Sequence, residues 1–343
     1  MLDESPLVCI CIPTFNVAVT VKETLDSIVA QTYQNTVIHI SDNASTDGTV
    51  NVVKSVPDKR IQIHCNSENV GGEGNFTRCI ELAEGKYTAI FHADDLYNPE
   101  MVSRQVDFLE SNPNICAVFT AAHTIDENGT LLSEILAPPF CKKGDTAIYD
   151  FKNLLKTILL RRNFLVCPSA MVKTETYKNV IRQWGSSLFN SASDVDTWLR
   201  LASSAPIAVI NEPLMRYRIS QLQYSDKIRK RTSKTDFFLV MDHYLSIPEV
   251  VKILSKEDFR HYGWLLRHEN VACASNLLAN GESLEAKNLL KGLICWDSLN
   301  AAISTRLGFK TLAGGIFLKM MIFLSLSNKS YRFLNKLKNN ERG

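Results

Sequence analysis

The sequence predicts an α/β protein, a Rossmann-like, mostly parallel sheet flanked by helices, extended by a helical carboxy-terminal region. Three observations carry that prediction. Short apolar runs alternate with helix-period segments over the first 120 residues, strand-like patterns thin out after about residue 220, and a length of 343 residues suits about two domains. The strands predicted in the first part are Val8–Ile12, Val37–Ile40, Ile61–Cys65, Ala89–His92 and Cys116–Thr120, each short and apolar enough for a buried position. Helices are predicted between them at Thr20–Gln31, Thr46–Ser55, Asn75–Glu84 and Pro99–Ser111, with Ser45, Thr46 and Asp47 as a start signal and Pro99 in a first turn. From 121 to 225 the pattern loosens: a helix at Asp150–Arg161, an extended piece at Ser169–Lys173, a helix at Val195–Ser203, then strands at Ile207–Ile210 and Leu214–Ile219. The division is thus 1–225, in halves meeting at about 120, followed by a helical region 226–343 with helices at Lys234–Ser246, Lys256–Ala279, Ser283–Cys295 and from Thr311.

With 45% hydrophobic and 22% charged residues, the chain is neither disordered nor a disulfide mini-protein. Its nine cysteines form no Cys-x-x-Cys, which argues against zinc ribbons and paired-disulfide frameworks and fits reduced thiols in a cytosol. The opening Met1–Pro6 is acidic and polar, unlike a signal peptide. Net charge is only +2, but residues 1–130 hold 7 Lys+Arg against 18 Asp+Glu, and the remainder 31 against 18. An acidic first part argues against a nucleic-acid groove and suits a site that borrows a cation to hold phosphates. The basic remainder suits an anionic partner such as an acidic membrane surface, or is simply solvated.

In open α/β sheets ligands bind beyond the carboxyl ends of the strands. Three such ends carry polar residues: Pro13-Thr14-Phe15-Asn16, Ser41-Asp42-Asn43 running on to Asp47-Gly48-Thr49, and His92-Ala93-Asp94-Asp95. Adjacent acids after a buried strand are costly unless solvated or holding a cation. Magnesium takes one or two carboxylates and completes its shell with water and phosphates. An acid pair also reads as a turn or a helix cap. His39, His64 and His123 lack partners at metal-ligand spacing and read as structural.

Together these segments resemble the family 2 glycosyltransferases of the GT-A fold, over about residues 7–220. Pro13–Asn16 matches the family's Pro-Thr-Tyr/Phe-Asn, Asp42–Thr49 its Asp-Asp/Asn-x-Ser-x-Asp-Gly-Thr, and Asn69-Val70-Gly71 its Asn-x-Gly. His92–Asp95 stands at the metal-binding Asp-x-Asp, with His92 in place of the first acid. Ser193-Asp194-Val195-Asp196-Thr197-Trp198-Leu199-Arg200 is similar to Glu-Asp-x-Asp-x-Trp-Leu-Arg, with Ser193 for Glu. Arg216-Tyr217-Arg218 matches the end of a Pro-Leu-x-x-Tyr-Arg segment, with Ser220 near a His of the family.

The resemblance implies an inverting transfer of sugar from a nucleotide-diphosphate donor, UDP- or dTDP-linked, with Mg2+ or Mn2+. The acceptor hydroxyl would belong to a glycan or lipid-linked acceptor in polysaccharide, O-antigen or capsule synthesis. By the same resemblance Asp194 is the catalytic base, Asp42 and Asn43 read the base edge, and Pro13, Thr14 and Asn16 border the nucleotide. Asp94 and Asp95 divide sugar-nucleotide contact and metal binding in either order, and Arg218 steadies the diphosphate. Read from the residues alone, Asp194 is also a good helix cap. Asp196, Trp198 and Leu199 read as structural, with Arg200 anchoring a carboxylate. A nucleotidyl-transfer enzyme and a non-catalytic sugar-nucleotide-binding protein are the alternatives, although the first strand lacks a glycine- and arginine-rich phosphate loop.

The stretch from Thr311 to Ser327 is interrupted by Lys319 and, at seventeen residues, falls short of the roughly 20 that span a bilayer. Lys329, Arg332, Lys336, Lys338 and Arg342 follow, against Glu341 alone. This pattern suits an interfacial helix on anionic lipid at the inner face of the membrane of a cytoplasmic protein. A helix packed on the protein's own core or on a second copy fits equally. A basic cluster from Lys227 to Lys234 shares that surface or is a solvated linker.

Overall fold

Strand β1 (Val8–Thr14) is the centre of the first layer, with Val8 to Ile12 fully shielded from solvent. In a computed structural model, residues 5–138, 141–185, 189, 192–219 and 231–324 are described. The chain divides into two units, Met1–Gln221 and Leu222–Gly343. In the first unit β1 pairs in parallel with β2 (Thr36–Asp42) and β4 (Tyr87–Ile90), and β2 pairs in parallel with β3 (Ile61–Cys65). Helices α1 (Val21–Val29), α2 (Thr49–Lys54) and α3 (Gly71–Leu82) connect these strands. Thr14 lies opposite Asp42 and Asp42 opposite Cys65, so the polar strand ends line up at one edge.

The rest of the unit contains β5 (Leu96–Tyr97), α4 (Met101–Ser111), β6 (Ala117–Ile125), β7 (Leu131–Ile135), β8 (Thr146–Tyr149) and α5 (Phe151–Arg161). It continues with β9 (Met171–Lys173), the short α6 (Thr174–Thr176), α7 (Ser193–Ser204) and β10 (Ile207–Arg218). The sheet order is β3-β2-β1-β4-β9-β6-β10-β5, with β7 on β6 and β8 on β10. Only the run from β3 to β4 and the β6–β10 pair are parallel. The expectation of a mostly parallel sheet therefore holds for the first half and is corrected for the second, where β9 runs against both neighbours and β5 against β10. Such strands, two and three residues long, carry no periodic signal. The two strands expected at Ile207–Ile210 and Leu214–Ile219 are one, broken in register at Pro213, which has no N–H for the ladder.

Helix starts shift for identifiable reasons. The second helix begins at Thr49 rather than Thr46, because Ser45 and Thr46 bond the loop after β1. The third begins at Gly71 rather than Asn75, where the Asn43 and Asn69 side chains take the Val70 and Gly71 amides at 2.9 and 2.8 Å. The helix expected from Asp150 starts one residue later, with Asp150 as its cap accepting the Asn153 amide at 2.7 Å.

The second unit contains α8 (Asp236–Leu245), α9 (Pro248–Lys252), α10 (Lys256–Ala279), α11 (Ser283–Leu289), α12 (Trp296–Ser304) and α13 (Arg306–Phe323). A capping box of Ser255 and Asp258 starts α10. The helix expected over Ser283–Cys295 stops at Leu289, before Gly292 turns with φ +69°, and α12 follows as an element the sequence did not suggest. Helix α13 lays Leu312, Gly315 and Leu318 against Ala274, Leu278, Ala286 and Leu290. A Cβ on Gly315 would fall 2.1 Å from the end of the Leu293 side chain, which would have to move to admit it. One face of the apolar tail stretch is thus packed on protein. No helix among the described residues is long and apolar enough to cross a membrane. Ser220, Lys227, Arg229, Lys230 and the basic residues from Lys329 onward lie outside the described residues.

In the first unit, Arg60 grips both carboxylate oxygens of Asp58 and also reaches Val29 O and Thr36 Oγ1, tying the end of α1 to β2. Arg60 holds the Asp58 carboxyl below its usual range. Its contribution is complete above the ordinary carboxylate value and disappears as pH falls through the lowered one. Asp58→Asn should cost about 1–3 kcal/mol at neutral pH and progressively less in acid, measured by denaturant unfolding across pH.

Candidate active site

The loops after β1 and β2 are stitched together by their own side chains. Thr14 Oγ1 donates to Asp42 at 3.1 Å, and Asp42 also accepts the Ser45 amide at 3.0 Å. Asn16, in the left-handed region at φ 51°, accepts the Thr46 amide at 2.9 Å. Asp47 accepts the Ala18 amide at 2.9 Å and the Thr49 hydroxyl at 2.6 Å, and the Thr49 bond holds its carboxyl below the usual range. Much of the Asp42–Thr49 motif is therefore spent on loop shape.

An amide network extends this frame. Asn43 donates to Asn69 at 2.7 Å and accepts from Asn66 and Val70 at 3.1 and 2.9 Å. Asn75 donates to Ser41 O at 2.9 Å and accepts the Ser41 hydroxyl at 2.7 Å. The frame surrounds a cavity of about 330 Å³ whose wall includes Pro13, Thr14, Asn43, Asn69, Phe76 and Asp94. Of the residues singled out by sequence, Pro13, Thr14, Asn43 and Asp94 meet here. Asn16, Asp42, Asp95 and Arg218 are not on this wall.

His92 is also on that wall, at the mouth of the loop following β4. Tyr97 fixes this loop: its hydroxyl accepts the His92 amide at 2.7 Å, and its ring stacks on Phe91 at 3.9 Å. Asp95 is turned inward with 0% exposure, one oxygen accepting the Arg218 amide at 2.7 Å. Its other oxygen, Oδ2, is buried without a hydrogen-bond partner, with His92 Nδ1 at 3.7 Å. Burial, then the Asp94 charge, pushes the Asp95 carboxyl well up, and burial, against the Asp94 charge, pushes His92 down. Ligand atoms of His92, Asp94 and Asp95 all lie within 4.8 Å of one another. An orphaned carboxylate oxygen, a second carboxylate and an imidazole fit a divalent cation.

Arg218 was expected on a diphosphate, but its guanidinium is turned elsewhere. It donates to Asp94 O at 2.8 Å, to Glu127 O at 3.0 Å and to the Glu23 carboxylate at 2.8 Å. It clamps the acid-bearing loop from behind. Arg216 lies on another cavity wall, with Tyr97 and His123.

Asp194 stands in the first turn of α7, accepting the Val195 amide and the Asn163 side-chain amide, each at 2.8 Å. Burial raises its carboxyl, against those two bonds. Behind it, Trp198 is fully buried, and Arg200 pairs with Asp196 at 2.9 Å while donating to Ile181 O and Gly185 O. Burial, followed by the charges of Asp95, Asp94 and Asp194, pushes up the Tyr217 phenol, and the Cys167 thiol feels Asp194 and Asp95 after burial. The three carboxylates thus share one neighbourhood. Aromatic contacts run from His92 to Phe76, Trp184 and Trp198. Sequence reasoning passed over Glu73, whose carboxylate accepts the Ser193 hydroxyl, and Asn163, and gave Tyr217 only as part of a motif. No spacing could reveal Asn163 from Asp194 at 31 residues' separation. His39 and His64 bond each other at 2.9 Å, with Glu84 on the far nitrogen of His39, away from this site.

The mixed sheet flanked by helices is the GT-A fold, and solved structures agree with it. Staphylococcus aureus TarS 1–349 in complex with UDP-GlcNAc matches at TM-score 0.58 and 14% identity, over 97% of this chain and 92% of that one. Mannosyltransferase PcManGT from Pyrobaculum calidifontis, in complex with GDP-Man and Mn2+, matches at 0.53 and 17%, over 98% and 88%. The sequence model of Glycosyl transferase family 2 matches residues 9–180, and the chain belongs to that family; it is a glycosyltransferase. An uncharacterized glycosyltransferase of Methanocaldococcus jannaschii is 30% identical over 66% of this chain and 76% of its own length. The putative teichuronic acid biosynthesis glycosyltransferase TuaG of Bacillus subtilis is 25% identical over 69% and 88%.

Asp95→Asn keeps an acceptor for the Arg218 amide and removes a buried carboxyl that burial and Asp94 disfavour in its charged form. The variant should be at least as stable as the parent without metal. Added Mn2+ should raise the melting temperature of the parent and leave the variant unmoved, as read by scanning calorimetry.

Proposed function

We propose that the protein is an inverting glycosyltransferase that takes sugar from a UDP- or dTDP-linked donor to an acceptor hydroxyl of a growing glycan or lipid-linked saccharide. The observation that carries the reading is the convergence of His92, Asp94 and the unpartnered oxygen of Asp95 beside the cavity walled by Pro13, Thr14 and Asn43. A divalent cation held there would offset negative charge on the departing nucleoside diphosphate. An imidazole beside two carboxylates favours Mn2+ over Mg2+. Support for the donor class comes from neighbours of the same fold whose complexes hold UDP-GlcNAc and GDP-Man, and for surface-polysaccharide synthesis from the likeness to TuaG.

The residues divide the work. Asn43 stands on the pocket wall at the end suited to the nucleotide base, with Asp42 next to it holding Thr14 and the Ser45 amide, while Pro13 and Thr14 continue the wall and Asn16 fixes the loop. Asp94 faces the donor, Asp95 would hold the cation together with His92, and Arg218 positions both acids by clamping the loop. Asp194 takes the proton of the acceptor hydroxyl as it attacks the anomeric carbon opposite the leaving diphosphate. Its raised carboxyl makes it a stronger base than an exposed aspartate, and Asn163 keeps it oriented. Glu73 returns an acid to the place where Ser193 stands for the family's Glu. Beyond the described residues, the basic tail suits attachment to the inner face of the membrane.

Asp194→Asn should abolish nucleoside-diphosphate release coupled to transfer, by about 10²–10⁴-fold, and leave donor affinity in calorimetry unchanged. The base must be ionised, so the parent's kcat/KM falls as pH drops through the raised value. Asn163→Ala removes a bond that favours the ionised form and should move that acid limb to higher pH. Near-normal turnover in Asp194→Asn would reject it as the base.

A further inference from the structure

We infer that a groove in the helical unit seats the phosphate headgroup and upper acyl chain of an anionic phospholipid, docking this unit on an acidic bilayer surface. The groove, of about 900 Å³, is bounded by the end of α11, the loop after it and the last two turns of α13. The inference rests on this unit alone and is independent of the transferase reading.

Two features of the groove are unusual together. Its wall is apolar and open: Ile294, Met320 and Leu324 are more than half exposed, and Phe323 is 87% exposed. Trp296 and Ile303 on α12 are also largely exposed. Helix α13 therefore has two apolar faces, one packed on the core through Leu312 and Leu318 and one with nothing over it among the described residues. Apolar surface left open on this scale marks an interaction site. The second feature is the rim. Lys287, Lys291 and Lys319 stand around the groove, and none has an ion-pair partner among the described residues. From Ser298 to Leu324 the sequence carries Arg306, Lys310 and Lys319 and no acid at all.

Charge selects the occupant. A second copy using the same patch about a two-fold axis would bring lysines against lysines. The chain's own residues 325–343 carry five basic groups against one acid, so they match the rim in sign. An anionic lipid satisfies both features, its phosphate among the three ammonium groups and its methylenes against Ile316, Met320 and Phe323. Lysines suit that boundary, because their stems lie on apolar surface while their heads stay in the headgroup layer.

The test is co-sedimentation of the full chain with vesicles of phosphatidylcholine alone or mixed with phosphatidylglycerol. The chain should bind the mixed vesicles and not the neutral ones. Affinity should fall about fivefold for each of Lys287→Ala, Lys291→Ala and Lys319→Ala, and on the order of a hundredfold for the triple variant. Phe323→Asp, at an exposed position, should weaken binding with unchanged thermal melting. Equal binding to both vesicle types would overturn the proposal, as would a triple variant that binds like the parent, leaving the basic tail as the membrane contact. So would a concentration-dependent dimer, abolished by Phe323→Asp, in a chain that ignores vesicles.

Discussion

The buried carboxylate of Asp95 is the constraint around which the first unit is arranged. Removing such a group from water costs several kcal/mol unless its charge is neutralised or its oxygens are bonded. Here one oxygen takes the Arg218 amide and the other faces His92 with no bond of its own. The surroundings are shaped to keep it so. Tyr97 pins the loop at His92, Thr20 pins it at Ala93, and Arg218 pins it at Asp94 while reaching Glu23 on α1. Strand β10 thus does more than complete the sheet: its last residue fixes the acids that the first half of the chain presents.

The same economy governs the pocket beside them. Its asparagines are bonded mainly to one another and to backbone, which orders the wall in advance of any ligand. Preorganised polar groups lose little when a ligand arrives, and this is where an enzyme gains from rigidity. Helix α7 joins the arrangement through packing. Trp198 and Trp184 connect α7 to Phe76 and His92, so Asp194 and the acid cluster rest on one aromatic layer.

How much of this was legible in the sequence depends on the range of each interaction. Val8–Ile12 was readable because local apolar content decides a buried strand, whereas Ile61–Cys65 has the expected bounds but lies at the sheet edge with its residues half-buried or exposed. The motif residues were readable as a group, and Pro13, Thr14, Asn43 and Asp94 do meet at one cavity. The direction in which each side chain turns was not. Asp95 points inward because of an amide 123 residues away, and Arg218 reads as a phosphate fork until its four partners are seen. His92 stands where the family has an acid, and only the fold brings its ring to the two carboxylates. The antiparallel strand β5 escaped notice because it owes its extension to its neighbour β10, whereas β9 falls in the extended piece expected at 169–173 and only its direction was hidden. In the tail, apolar content alone could not separate the face of α13 that packs on Leu290 from the face that stays open.

The claim on which the functional account turns is that a cation seated on His92, Asp94 and Asp95 holds the donor's diphosphate. Crystals grown with Mn2+ and a nucleoside diphosphate, measured at the manganese absorption edge, address it directly. The account predicts one anomalous peak bridging those side chains and the diphosphate oxygens, with the base in the cavity walled by Thr14 and Asn43. A peak elsewhere, or a diphosphate bound with no metal at that loop, would contradict it.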